Sequence, residues 1–352
     1  MSHVRTWTQG RTGRIRLERP EALNALTTGM CVAIADALLR WRDDAGVAHI
    51  LIDGAGERAF CAGGDVVMLH DSGKARDGRA EAFWRTEYAL NVLIRDYPKP
   101  FIALIRGIVM GGGVGLSVHG DFRVATPTTR FAMPETGIGY YPDVGGTWFL
   151  PRLDTEGAEG VGNWLGLTGA PLGPEACVAL GIATHHVSGD RFDALADALA
   201  GSDDVSATLA AFHTPPASWA PPPALDAFRA NSVSAILAEL DGCDSDWAGV
   251  QATALRRKSP LALAATLEAL RLGRETDSFR AAMDRELDIS VNFLATQDFY
   301  EGIRAQLIDK DRTPQWSHAI GGVPPAHVAR VLRPSTAPLE FFAQSGGDKS
   351  GD

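Results

Sequence analysis

Short apolar runs alternate with stretches of helical spacing through the first half of the chain. Residues 47–53 (VAHILID) and 101–105 (FIALI) are short and nearly continuously apolar, the pattern of strands buried on both faces. Helices are expected near 65–73 and 79–96, and Met30, Ile34, Leu38 and Trp41 recur at helical spacing before the first run. Residues 4–18 alternate around Gly10 and Gly13 as a hairpin does. Strand and helix in turn predict an α/β class core with parallel pairing over residues 1–212.

The pattern changes where five prolines fall between 213 and 224 (HTPPASWAPPPA), which rules out a helix interior or a central strand. A helical C-terminal region is expected over 213–342. There Ser259 and Pro260 suit an N-cap and first helical position, and Phe279, Met283, Leu287, Val291 and Leu294 form one stripe. The tail 343–352 (AQSGGDKSGD) is expected to be disordered.

A formal net charge of -10 argues against a general nucleic-acid binder, whose affinity comes from clustered Lys and Arg. Cys31, Cys61, Cys177 and Cys243 are widely spaced and form no CxxC, so neither a zinc site nor a disulfide framework is suggested. No run reaches transmembrane length and residues 1–20 hold no apolar leader core, so no membrane partner and a cytoplasmic location are expected. His185 and His186 would point to opposite faces of a strand, and no metal is expected.

The run MGGGVG (110–115) sits where the FIALI segment gives way to a stretch expected to be helical. A dinucleotide fingerprint from Gly111 or Gly113 fails, because the sixth position is Leu116 or Val118. GLSVHG is not a GxSxG elbow either, since His119 replaces the last glycine and Ser117 reads as a helix residue. What fits is a pair of bare backbone N–H donors, one in this turn and one in AFCAGGD (59–65), converging on one carbonyl oxygen. The segment RFAMPETGIGYYPDVGGTWFLPRL (130–152) then carries two carboxylates, Glu135 and Asp143, in apolar, Gly/Pro-rich surroundings. Desolvation raises the pKa of such acids toward neutrality and suits them to proton transfer.

These residues resemble the crotonase (enoyl-CoA hydratase/isomerase) superfamily, and within it the 3-hydroxyisobutyryl-CoA hydrolase branch. AFCAGGD, KPFIALIRGIVMGGGVGLSVHGDFRVAT and FAMPETGIGYYPDVGGTWFLPRL carry the likeness, together with RPEALNAL at 19–26 and DFYEGIRAQLIDKDRTPQW at 298–316. The resemblance implies a spiral of ββα units with a helical C-terminal region, an acyl-CoA substrate, no cofactor beyond that coenzyme A, and often a homo-oligomer. By position it assigns the oxyanion hole to the N–H groups of Gly64 and Gly112. Hydratases of the superfamily use two glutamates; Glu135 fills the second position and Gly115 stands at the first.

With one acid missing, the clamp for syn addition of water is gone, and the hydrolase branch implies thioester cleavage. Glu135 would attack the carbonyl or activate water, and both roles stay open. Asp143 would bind a 3-hydroxyl and assist proton transfer. Glu87 (WRTEYALN) matches a further acid of the pattern, as a substrate contact or a solvated helix charge. Lys310 (LIDKD) aligns with a lysine that meets a coenzyme A phosphate, or makes an exposed salt bridge. The leading expectation is hydrolysis of a short β-hydroxyacyl-CoA, with 3-hydroxyisobutyryl-CoA of valine degradation as the implied substrate. Alternatives are an enoyl-CoA hydratase or isomerase and a noncatalytic acyl-CoA-binding protein.

Overall fold

The computed structural model describes residues 3–153 and 156–342; the tail expected to be disordered lies outside them. The chain opens with the expected hairpin, β1 (Val4–Gln9) and β2 (Thr12–Leu17), antiparallel with Val4 opposite Leu17. Helix α1 (Thr28–Arg42) follows, with the Thr27 side chain accepting from the Met30 N–H, and buries Met30, Ile34, Leu38 and Trp41 as their spacing requires. Then come β3 (His49–Gly54), β4 (Ala59–Cys61), α2 (Val66–Ala75) and α3 (Arg79–Arg95). The next unit is β5 (Phe101–Ile105), β6 (Ile108–Met110) and α4 (Gly112–Gly115). β7 (Phe122–Ala125), β8 (Arg130–Ala132) and β9 (His185–His186) complete the strands.

The strands sort into two sheets, of order β1-β2-β3-β5-β7-β9 and β4-β6-β8, parallel throughout apart from the first hairpin. Each pass of the chain gives one strand to each sheet before a helical segment, so the ββα spiral implied by the resemblance is present. Alternation along the strands explains their apolar runs. Phe101, Ala103 and Ile105 face the main core, while Ile102 and Leu104 join Leu51 and Val124 under the helix Phe192–Ala200.

Residues 213–222 hold no helix or strand, as their prolines dictate. The helices Pro260–Glu275 and Phe279–Phe293 then return to the main core, the first capped by Ser259 as expected. Phe279, Met283 and Leu287 are fully inside the core and Val291 and Leu294 pack at its margin. Residues 335–339 form a strap across this layer. Asp288 Oδ1 accepts from the Ser335 and Thr336 N–H groups at 2.8 Å each, Asp284 Oδ1 accepts from Leu339 N at 2.7 Å, and Arg85 of α3 donates to the Ala337 carbonyl at 3.1 Å.

Candidate active site

β4 and β6 are parallel neighbours, so the glycine turns that follow them leave the small sheet side by side. Gly111 has φ +46° and ψ -121°, a conformation for which a side chain is unsuited. A Cβ on Gly112 would run into Glu87 Oε1, so only glycine lets that amide face the carboxyl. The Gly64 and Gly112 N–H groups donate to no partner among the described residues. The helix expected after Gly111 is a single turn, Gly112–Gly115, followed by turns to His119. Glycines are poor helix formers, and the dipole contribution shrinks with the helix. Ser117 lies in those turns, its hydroxyl donating to the Gly113 carbonyl at 2.8 Å, and is no free nucleophile.

Gly64, Gly112, Glu87, Glu135 and Asp143 line one cavity of about 620 Å³. Glu135 opens the 3₁₀ turn Glu135–Ile138 directly after Pro134 and is buried, with Oε2 unpartnered. Glu87 is 2% exposed, which excludes a solvated helix charge, and its Oε1 also has no partner. Asp143 is the acid that does have partners: Oδ2 accepts from the hydroxyls of Tyr88 at 2.7 Å and Tyr140 at 3.1 Å. Lys310 is exposed, does not line the cavity and makes no ion pair among the described residues. It follows Gln306 and Leu307, which do line the cavity.

Residues not singled out from sequence hold this arrangement. The Tyr140 hydroxyl lies 2.6 Å from Ser290 Oγ, and the Tyr88 hydroxyl lies 2.7 Å from the same oxygen. The Glu286 carboxylate accepts from Gly145 N at 2.6 Å and from Thr147 N at 3.0 Å, clamping the loop just after Asp143. Val144 sits in that loop at φ +53°, a strained value for a β-branched residue, and its carbonyl is 2.8 Å from His119 Nε2. Glu286 and Ser290 each fall three positions after a member of the predicted stripe, Met283 and Leu287. A charge and a hydroxyl on an apolar helix face were the available signal.

Burial raises Glu135 well above the usual carboxylate range, and the neighbouring Asp143 charge adds to the rise. Glu87 is raised by the same two causes and has no hydrogen bond to offset them. Asp143 is also raised by burial, but the tyrosine hydroxyls favour its charged form. The partners of Asp143 thus favour its charged form, whereas burial without a partner favours the neutral form of Glu87.

Position 115 is closed. A Cβ there would stand 2.8 Å from both Asn91 Nδ2 and Val144 Cβ. Asn91 is fully buried on α3 with both amide atoms unpartnered, one turn beyond Glu87. His185 and His186 form β9 and turn to opposite faces; among the described residues no group of three or more His, Cys, Asp or Glu is placed to hold a metal.

The enoyl-CoA hydratase/isomerase family pattern matches residues 12–332. A mitochondrial 3-hydroxyisobutyryl-CoA hydrolase of Danio rerio is 42% identical over 321 residues, covering 87% of this chain and 83% of that protein. The Homo sapiens protein of the same name is 40% identical over 325 residues, with 88% and 83% covered. Among solved structures, a carnitinyl-CoA dehydratase from Mycobacterium thermoresistibile superposes with TM-score 0.91 at 39% identity, over 98% of this chain and 100% of that one. An enoyl-CoA hydratase from Rhodobacter sphaeroides gives 0.83 at 42% identity, over 95% and 98%.

Proposed function

Because the chain belongs to the enoyl-CoA hydratase/isomerase family, we propose that its cavity hydrolyses a short β-hydroxyacyl-CoA thioester, with 3-hydroxyisobutyryl-CoA as the foremost substrate. The observation that carries this is the closed position 115: Asn91 and Val144 occupy the space a second glutamate would need, while Glu135 and Asp143 remain in the cavity.

The thioester oxygen is received by the N–H groups of Gly64 and Gly112, which are free to donate and stabilise the charge that develops on it. Glu135 then acts in one of two ways. As nucleophile, its oxygen bonds to the carbonyl carbon, the C–S bond breaks, and the mixed anhydride is split by water. As general base it takes a proton from the water that attacks. In either course the sulfur leaves as thiolate and takes up a proton, giving coenzyme A and the hydroxy acid. Asp143, fixed by Tyr88 and Tyr140, accepts a hydrogen bond from the 3-hydroxyl. Glu87, neutral beside Gly112, contacts the acyl group without opposing the negative charge forming on the thioester oxygen.

Lys310 is assigned to a coenzyme A phosphate, as an exposed point charge beyond the cavity mouth. No cofactor beyond the substrate's coenzyme A enters this scheme, and every group named comes from one chain. No helix of the described residues is long and apolar enough to cross a membrane. Four free cysteines suit a reducing compartment; we infer the cytoplasm, and cell fractionation separates it from the mitochondrial location in the relatives' names.

The test is thiol release from 3-hydroxyisobutyryl-, 3-hydroxypropionyl-, isobutyryl- and crotonyl-CoA, with loss of the crotonyl double bond followed in parallel. Release confined to the hydroxylated thioesters is expected. Hydration without thiol release would instead give the chain the reaction class named for its structural neighbours. Coenzyme A binding with no turnover would make it a carrier.

A further inference from the structure

Three buried acids, Glu87, Glu135 and Asp143, face one cavity, and the cations lining it are Arg19 and Lys258. Arg19 is committed elsewhere, donating to Asp65 Oδ2 at 3.2 Å. The Lys258 ammonium makes no hydrogen bond or ion pair among the described residues. Its backbone is fixed against the turn that carries Glu135. Ser259 N donates to the Thr136 carbonyl at 3.2 Å, and Ser259 Oγ bonds Asp298 Oδ2 at 2.5 Å. Gly137 makes room for the side chain: a Cβ there would lie 3.1 Å from Lys258 Nζ and 3.8 Å from Cδ.

We propose that Lys258 is a positioning residue for the hydrolysis, its ammonium supplying the positive potential that keeps the Glu135 carboxylate charged as it meets the thioester. Other charged groups around the turn do not fill this role. The helix Gln297–Ile303 presents Asp298, bonded to Ser259 and Ser317, and Glu301, paired with Arg304. The helix Pro260–Glu275 carries its charges, Glu268, Arg271, Arg274 and Glu275, in its second half, and Val161–Thr168 carries none. Asp143 opposes ionisation of Glu135, and Glu87 adds no positive charge. Burial lowers the Lys258 ammonium below its ordinary range while Glu135 raises it, and that attraction acts on Glu135 in the opposite sense. Removing the cation raises the Glu135 pKa, so the acidic limb of activity moves to higher pH.

The inference rests on the hydrolase reading. Its test compares the wild type, Lys258→Met and Lys258→Arg in kcat/KM against pH, using 3-hydroxyisobutyryl-CoA and the corresponding N-acetylcysteamine thioester, which has no phosphates. For Lys258→Met the acidic limb should move up by about one to two pH units on both substrates, and Arg should restore it. An unmoved limb overturns the proposal. So does a loss seen only as a higher KM for the coenzyme A substrate, which would make Lys258 a phosphate contact. Lys258→Gln gives the same comparison if thermal melting shows the Met variant unfolded. A wild type that releases no thiol overturns the hydrolase reading itself, and is thereby told apart from a failure at Lys258.

Discussion

The Tyr88 hydroxyl donates to Asp143 Oδ2 at 2.7 Å, joining α3 to the loop that follows Glu135. That bond is made by a buried hydroxyl to a buried carboxylate, where it counts for more than on the surface. It also favours the charged form of Asp143 over that of Glu87, which has no such partner.

Tyr88→Phe should therefore cost about 1.5–3 kcal/mol in stability, since Asp143 keeps only the longer bond from Tyr140. The preference for hydroxylated over plain acyl thioesters should narrow in parallel, as Asp143 becomes a poorer acceptor. Thermal melting and the ratio of kcat/KM for 3-hydroxyisobutyryl- and isobutyryl-CoA check both. An unchanged ratio would remove Asp143 from hydroxyl recognition.

Glu87 and Glu135 should respond differently to the same exchange. Glutamine mimics a neutral carboxyl, so Glu87→Gln should stay within about tenfold of the wild type, while Glu135→Gln should lose about 10²–10⁴ in kcat. Stability gives a second readout for Glu87. Its folded pKa lies above its unfolded one, so that contribution is full below the unfolded value and is lost as pH rises through the folded value. Melting at about pH 6 and about pH 9 should show the Gln variant gaining on the wild type with rising pH. Equal losses of activity in the two variants would mean that Glu87 works as an anion.

Restoring the absent glutamate should not make a hydratase. In Gly115→Glu the new Cβ lands 2.8 Å from Asn91 Nδ2 and Val144 Cβ, and such overpacking costs about 1–3 kcal/mol. A lower melting temperature and no hydration of crotonyl-CoA are expected. Trimming Asn91 to Ala relieves only one of the two contacts. Efficient hydration by the single variant would show that Asn91 does not block the position.

Much of the core was readable because its signals are local. The hairpin, α1, β3 and β5, and the Ser259 cap each depend on a few adjacent residues, and all lie where spacing put them. The three-residue strands β4, β6 and β8 were not, since a run that short carries no period. Glu135, Asp143 and the two glycine turns could be picked out by residue type and surroundings, whereas the choice of Gly64 and Gly112 within those turns, and Glu87 altogether, rests on the family pattern. Their supports could not, because Glu286 and Ser290 reach the site from more than a hundred positions away in sequence. Lys310 follows cavity-lining residues in sequence yet lies outside the lining itself, a difference that adjacency along the chain does not show.

The strap at residues 335–339 bears on how the protein is made. Ribosomes deliver Glu87, Glu135 and Asp143 long before the residues that bind Asp284, Asp288 and Arg85. Until those emerge, the helix bearing Glu286 and Ser290 has no tie running over it to α3 from the far end of the described chain. A nascent chain stalled before residue 335 thus carries every acid of the cavity while lacking the segment that hydrogen-bonds to both of the helices beneath it.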